Sequence, residues 1–254
     1  LNDRSMTDSA NTNTQSRILV WDWTVRVFHW ATVLLIICMW STADNHGIWK
    51  QLDQFVVANG WDEYPRGNMG WHRTFAIGLL FLLIYRIYWG VFGSTTARFS
   101  QFVKGPAAVR SYISALKERP YKPGLGHNPL GALSVIALLV VLTTQLTTGL
   151  FTIDVDGLES GPLSRHVDFD TGRLFATLHE NSFRALYILI GLHVLAVAVY
   201  QFLLKANIIQ PMITGGRPAD SVKGHPTDTV RASLVRVAIG VVLSGGLVWL
   251  IWNA

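Results

Sequence analysis

The sequence predicts an all-α integral membrane protein, and three observations carry that expectation. Half of its 254 residues are apolar and only 15% are charged, more apolar than an ordinary soluble domain. The apolar residues gather into five runs, 25–42, 71–92, 129–151, 183–204 and 234–252. Each is near the ~20 residues that cross ~30 Å of hydrocarbon, and none shows the amphipathic period of a helix half-buried in a soluble core. Trp21, Trp23, Trp30, Trp40, Trp71, Trp89, Trp249 and Trp252 stand mostly at or near run ends, as in an interfacial aromatic belt.

The elements follow in order. Residues 1–16 are polar, rich in Asn, Thr and Ser, and read as a disordered lead-in. The first run carries His29, and the second opens at His72. The third begins at His127-Asn128-Pro129, where Asn128 reads as an N-cap and Pro129 as the first helical residue. Its Thr143, Thr144, Gln145, Thr147 and Thr148 suit interhelical hydrogen bonding. The fourth helix carries His179 and His193. The fifth run contains Gly245–Gly246 and no candidate ligand. Cys38 is the only cysteine, which excludes internal disulfides, Cys-ligated iron–sulfur clusters and covalent haem attachment through C-x-x-C-H.

Lysine and arginine set the orientation. Arg98, Lys104, Arg110, Lys117, Arg119 and Lys122 lie between the second and third runs, and Lys205, Arg217, Lys223, Arg231 and Arg236 follow the fourth. The other two loops hold only Lys50 and Arg66, and Arg165 and Arg173. The positive-inside bias places the N-terminus in the cytoplasm and the C-terminus outside. The net charge of +5 is thus used for topology, and nucleic acid is not an expected partner.

His179 and His193 are fourteen residues apart, about 3.9 helical turns, so they share one face with roughly 21 Å of rise between them. Ionisable side chains in membrane helices are costly and mark function. With the topology above, His72 and His179 lie near the outer surface, and His29 and His193 towards the inner one. Like depth pairs with like: two haems, each held non-covalently between two imidazoles, with both axial positions filled for electron transfer. Ala76, one turn from His72, and Gly191, two residues before His193, leave room for a flat macrocycle. Arg26, Arg73 and Arg184 are candidate propionate partners. Arg86, fourteen residues past His72, is placed to meet a propionate or a quinone carbonyl at the inner haem, or to snorkel at the membrane edge. His127 is read as a loop residue and not as a ligand.

The stretches Val20-Trp-Asp-Trp-Thr-Val-Arg-Val-Phe-His29-Trp30, Gly70-Trp-His72-Arg73, Gly126-His-Asn-Pro-Leu-Gly131 and His179-Glu180 to Gly191-Leu-His193 together resemble the bacterial cytochrome b561 and Ni,Fe-hydrogenase cytochrome b superfamily. The resemblance runs from about Arg17 to Lys205. It implies a four-helix core (17–205) holding b-type haem at these histidines in the bacterial inner membrane, passing electrons between the quinone pool and a redox partner. Residues 206–254 are then a cytoplasmic linker and a fifth transmembrane helix. The Asn-Pro entry to the third helix looks most like the stand-alone branch that serves c-type cytochromes. The alternatives are the membrane anchor of a Ni,Fe-hydrogenase and a non-redox transporter or scaffold. Whether the chain counts as an enzyme turns on its being a quinone-reactive subunit. Nine acidic residues in the outer loops (Asp44, Asp53, Asp62, Glu63, Asp154, Asp156, Glu159, Asp168 and Asp170) form an expected docking face for a basic c-type cytochrome.

Overall fold

The computed structural model describes residues 17–43, 48–116, 121–155, 160–223 and 231–254. The polar lead-in 1–16 lies outside these, as do Asp44, His46, Lys117, Arg119, Asp156, Glu159 and His225. Strand β1 (Arg17–Leu19) leads into α1 (Trp23–Ala43), followed by α2 (Ile48–Ala58), α3 (Gly67–Phe92), α4 (Phe99–Phe102) and α5 (Pro106–Ala115). Then come α6 (Pro129–Phe151), α7 (Phe169–Ala198) with a π-helical extension over Val199–Leu203, α8 (Ile209–Thr214), strand β2 (Gly216–Pro218) and α9 (Leu234–Asn253). Among the described residues α1, α3, α6, α7 with its extension, and α9 are long and apolar enough to cross a membrane. All five predicted runs are therefore helical. Apolar side chains such as Leu34, Ile37, Val140, Ile188, Leu192 and Val242 are exposed on them, which suits hydrocarbon as the surrounding solvent.

Helix ends are fixed by carboxylates and amides. Asn128 accepts from the Gly131 N–H at 2.7 Å with Pro129 in the first turn, as expected. Asp168 accepts from the Thr171 N–H at 2.9 Å and from its hydroxyl at 2.7 Å. These bonds hold its carboxyl below the usual range, and they start α7 well before the apolar run begins. Helix α3 is capped from outside itself: Asp53 of α2 accepts from the N–H groups of Arg66 (3.1 Å) and Gly67 (3.0 Å) and from the Trp71 indole (2.8 Å). Asp22 does the same work at the other end of the bundle. It accepts from the Thr24 and Val25 N–H groups at the start of α1, and from the Trp89 indole (3.2 Å) and the Ser94 hydroxyl at the end of α3.

These clamps correct the aromatic-belt expectation in part. Trp89 is 1% exposed and Trp21 is buried, both in a core cluster with Val20, Val25, Tyr85 and Ala97. Trp23, Trp30, Trp40, Trp249 and Trp252 remain exposed. A second cluster, Met39, Leu79, Leu83, Leu142, Leu146 and Leu186, joins α1, α3, α6 and α7.

The region after α7 is more than a linker. β2 pairs antiparallel with β1, Ile18 opposite Arg217. The Gly215 carbonyl accepts from the Val20 and Trp21 N–H groups (2.8 and 3.0 Å), with Gly215 at φ +91°, a conformation that favours glycine. The Trp30 indole donates to the Met212 carbonyl at 3.1 Å. Residues 212–218 thus fold against β1 and the start of α1.

Asp22→Ala removes one acceptor and leaves at least two buried donors unpaired, so it should destabilise by about 2 kcal/mol or more. Thermal unfolding in detergent measures this, and a change under about 0.5 kcal/mol would refute the clamp.

Candidate haem centres

His72, in the second turn of α3, and His179, in the middle of α7, face one another with ring centres 6.4 Å apart. Each has its Nδ1 occupied. The Thr42 hydroxyl donates to the Met39 carbonyl at 2.7 Å, so its oxygen accepts from His72 Nδ1 at 3.0 Å. His179 Nδ1 donates to the Gln145 carbonyl at 2.9 Å. In both rings the lone pair is left on Nε2, the arrangement of a metal-ligating histidine whose other nitrogen is tied to an acceptor. The Gln145 side-chain amide donates to His179 Nε2 at 3.1 Å, and its oxygen accepts from Ser182 at 2.5 Å. A haem iron held at His179 would use the lone pair that the amide meets here.

The pair fits haem. A metal–imidazole bond is about 2 Å, so the 6.4 Å between the ring centres leaves room for one metal held by both rings. Among the described residues no three His, Cys, Asp or Glu side chains converge as a metal-ion site. Two nitrogens suit an iron whose remaining positions belong to a porphyrin. Both histidines line a cavity of about 350 Å³, with Ala76 and Gly149 among its walls and Arg73 and Arg173 on its lining. A Cβ at Gly149 would stand 2.9 Å from the His179 ring, so glycine there lets the imidazole seat against α6.

At the other end, His29 of α1 and His193 of α7 are close enough to act on each other electrostatically. Among the described residues, buried polar atoms there lack partners: His29 Nδ1, Thr32 Oγ1 and Arg26 Nε. Gly191 has open space where a side chain would begin. These are the features of a site that takes a further polar and flat group.

The arginines divide. Arg73 borders the cavity. Arg26 donates through Nη1 to the Ile213 carbonyl at 2.7 Å, tying α1 to α8. Arg184 pairs with Glu180 at 2.5 Å on an exposed face and is not among the cavity-lining residues. The two side chains are one helical turn apart, a spacing at which an acid and a base interact by default. Arg86 does not snorkel: it is 4% exposed, with its guanidinium 5.0 Å over the Phe99 ring and Nη1 unpartnered.

His127 is the residue that sequence reasoning missed. It does precede α6 in a loop, but the loop folds inward, seating the ring 4.6 Å from Trp21 and 4.5 Å from Phe102. Burial, with Arg86 and His193 adding to it, holds this imidazole neutral, down to about 3. Among the described residues its Nδ1 has no hydrogen-bond partner. Arg173, Gln145 and Gly149 were also missed as site residues. The placement of the last two on the helix opposite His179 was the available signal, since a helix without ligands still has to carry the second wall.

A family model described as prokaryotic cytochrome b561 matches residues 20–215. The chain belongs to the prokaryotic cytochrome b561 family. Curated relatives agree with it. A "Probable Ni/Fe-hydrogenase B-type cytochrome subunit" of Azotobacter chroococcum mcd 1 is 24% identical over 220 residues, covering 80% of this chain and 89% of that protein. One of the same name from Rhodobacter capsulatus is 22% identical over 236 residues, covering 85% and 87%. This cytochrome b561 is therefore a multi-pass membrane b-type cytochrome of electron transport, and the transporter or scaffold alternative is set aside.

Gly149→Val should push the His179 ring from its seat, lowering haem content and weakening the low-spin spectrum, whereas Gly246→Ala, at an open position on α9, should leave both unchanged. Pyridine haemochrome assay and absorption spectra of the two variants check this. Equal spectra would show that the Gly149 contact does not set the ligand.

Proposed function

We propose that this cytochrome b561 carries electrons across the bacterial inner membrane through two non-covalent haems b, one held by His72 and His179 near the periplasmic face and one by His29 and His193 near the cytoplasmic face. The observation that carries the reading is the facing His72–His179 pair, each ring held through Nδ1 so that its lone pair is on Nε2. The fourteen-residue repeat on α7 supports a second site one bundle-depth away. Haem iron supplies one-electron redox chemistry when bound, and filled axial positions favour transfer over oxygen binding. The protein's part is to fix both rings, exclude water and pair the propionates, for which Arg73 and Arg173 are placed at one site and Arg26 at the other.

The electron source or sink in the membrane is the quinone pool. Arg86 Nη1 and His127 Nδ1 are buried donors or acceptors without partners on the side of the bundle where His193 lies, and a quinone carbonyl satisfies such groups. The basic loops favour a cytoplasmic location for this end, with the N-terminus cytoplasmic and the C-terminus periplasmic.

The periplasmic partner is a c-type cytochrome or an oxidoreductase subunit. The names of the relatives favour a second reading, a Ni,Fe-hydrogenase for which this chain is the membrane anchor. Simple charge docking loses support in the structure, because several acids of the outer loops are engaged. Asp53 caps α3, Asp168 caps α7, and Asp62 pairs with Arg66 at 2.5 Å.

Pyridine haemochrome of the purified protein should give about two haems per chain. His72→Ala and His179→Ala should remove the same spectral component, and His29→Ala and His193→Ala the other. A single haem, or losses that pair His29 with His179, would overturn the reading.

Replacing Arg86 by Leu should slow quinol-linked reduction or shift the potential of the component that His193→Ala removes. Unchanged redox titration and unchanged quinol kinetics would return Arg86 to a packing role.

A further inference from the structure

The family match ends at residue 215, and the sequence offers no ligand on α9. The structure nevertheless builds α9 into the bundle with care. Gly240 is buried against α3, where a Cβ would stand 2.7 Å from Tyr88 and 2.9 Å from Tyr85. Ser244, one turn on, is 0% exposed. This small-xxx-small pair is the device by which membrane helices approach closely. Gly245 and Gly246, the conspicuous pair in the sequence, have nothing within 4 Å of a would-be Cβ. The Tyr88 hydroxyl donates to the Arg236 carbonyl at 3.0 Å, anchoring the start of α9 beside the end of α3.

So seated, α9 runs antiparallel to α3 and brings its last turns to the cavity that holds His72 and His179. Val248, Ile251 and Trp252 line that cavity, opposite walls being supplied by α3, α6 and α7. Part of the remaining lining is polar, including Asp154, Ser160 and Arg173, so this cavity lies at the level where hydrocarbon gives way to water. Without α9 that side of the cavity would face headgroups and water.

We propose that α9 is a wall of the His72–His179 haem site, with Val248, Ile251 and Trp252 as positioning residues that cover one edge of the haem. The inference rests on the two-haem reading above. Covering the site with apolar side chains disfavours the form with the extra positive charge, the oxidised one, and so holds the potential of this haem up. The other haem, at the far end of α7, feels no change.

The test uses the full-length, haem-loaded protein. Spectroelectrochemical titration and low-spin EPR are recorded for Ile251→Ala, Trp252→Ala and the milder Trp252→Phe. Leu250→Ala, on the exposed side of the same turn, is the control. His72→Ala identifies which component belongs to this site, and failure of His72→Ala to remove any component would count against the two-haem reading itself. With that component identified, the wall variants should shift it to lower potential, or lose it, while the second haem and the Leu250→Ala protein titrate as the parent does. Wall variants that leave it in place, or that move only the other haem, would overturn the assignment of α9. Should Trp252→Ala yield no folded protein, Trp252→Phe and Ile251→Ala decide.

Discussion

An imidazole inside a membrane bundle must have both of its nitrogens accounted for, because no water is present to satisfy either one. At the His72–His179 end that constraint is met on one nitrogen of each ring by a neighbouring helix: α1 offers the Thr42 hydroxyl, and α6 offers the Gln145 carbonyl. The consequence is chemical as well as structural. Tying down Nδ1 fixes the tautomer and leaves the lone pair of each ring on Nε2. Helices without ligands are therefore as necessary to the site as those with them.

The same requirement explains where the bundle spends its carboxylates. Asp22 and Asp53 are buried, and each gathers N–H groups from a helix start together with an indole N–H. Each joins two elements, Asp22 tying the start of α1 to the end of α3 and Asp53 holding α2 against the first turn of α3. Since His72 is in the second turn of α3, the Asp53 cap also sets the position from which that ring enters the site.

Much of this was legible in the sequence because it is periodic. Apolar runs of membrane length announce helices, and the interval from His179 to His193 places two side chains on one face whatever the tertiary structure. Asn128-Pro129 is a local signal and reads correctly for the same reason. What could not be read depends on contacts between distant segments. Asp53 looks like a loop carboxylate until α2 brings it to Gly67. His127 looks like a surface residue until its loop packs between Trp21 and Phe102. Arg184 looks like a propionate partner until Glu180, one turn away, is seen to take it. In the last case a local rule was available: an acid and a base four residues apart on a helix interact by default, and that pairing outweighs a partner inferred from depth alone.

The two ends of the bundle are built on different principles, and the difference bears on how electrons enter and leave. At the His72 end the imidazoles are held by neutral groups, and the cavity is walled by α3, α6, α7 and α9 together with Asp154 and Ser160 of the connection after α6. The His29 end is closed instead by folded connections: the β1–β2 pair, the turn at Gly215 held by Val20 and Trp21, and the loop that carries His127. It also retains several buried donors and acceptors without partners, on His29, Thr32, Arg86 and His127. A helical wall packs once and stays, whereas a wall of loops and short strands opens at lower cost. Unpaired polar atoms behind such a wall suit a ligand that arrives and departs, and a cavity walled mainly by membrane helices suits a cofactor that remains. On the two-haem proposal, exchange with a diffusing membrane carrier would belong at the His29 end, and the His72 end would serve as the fixed relay.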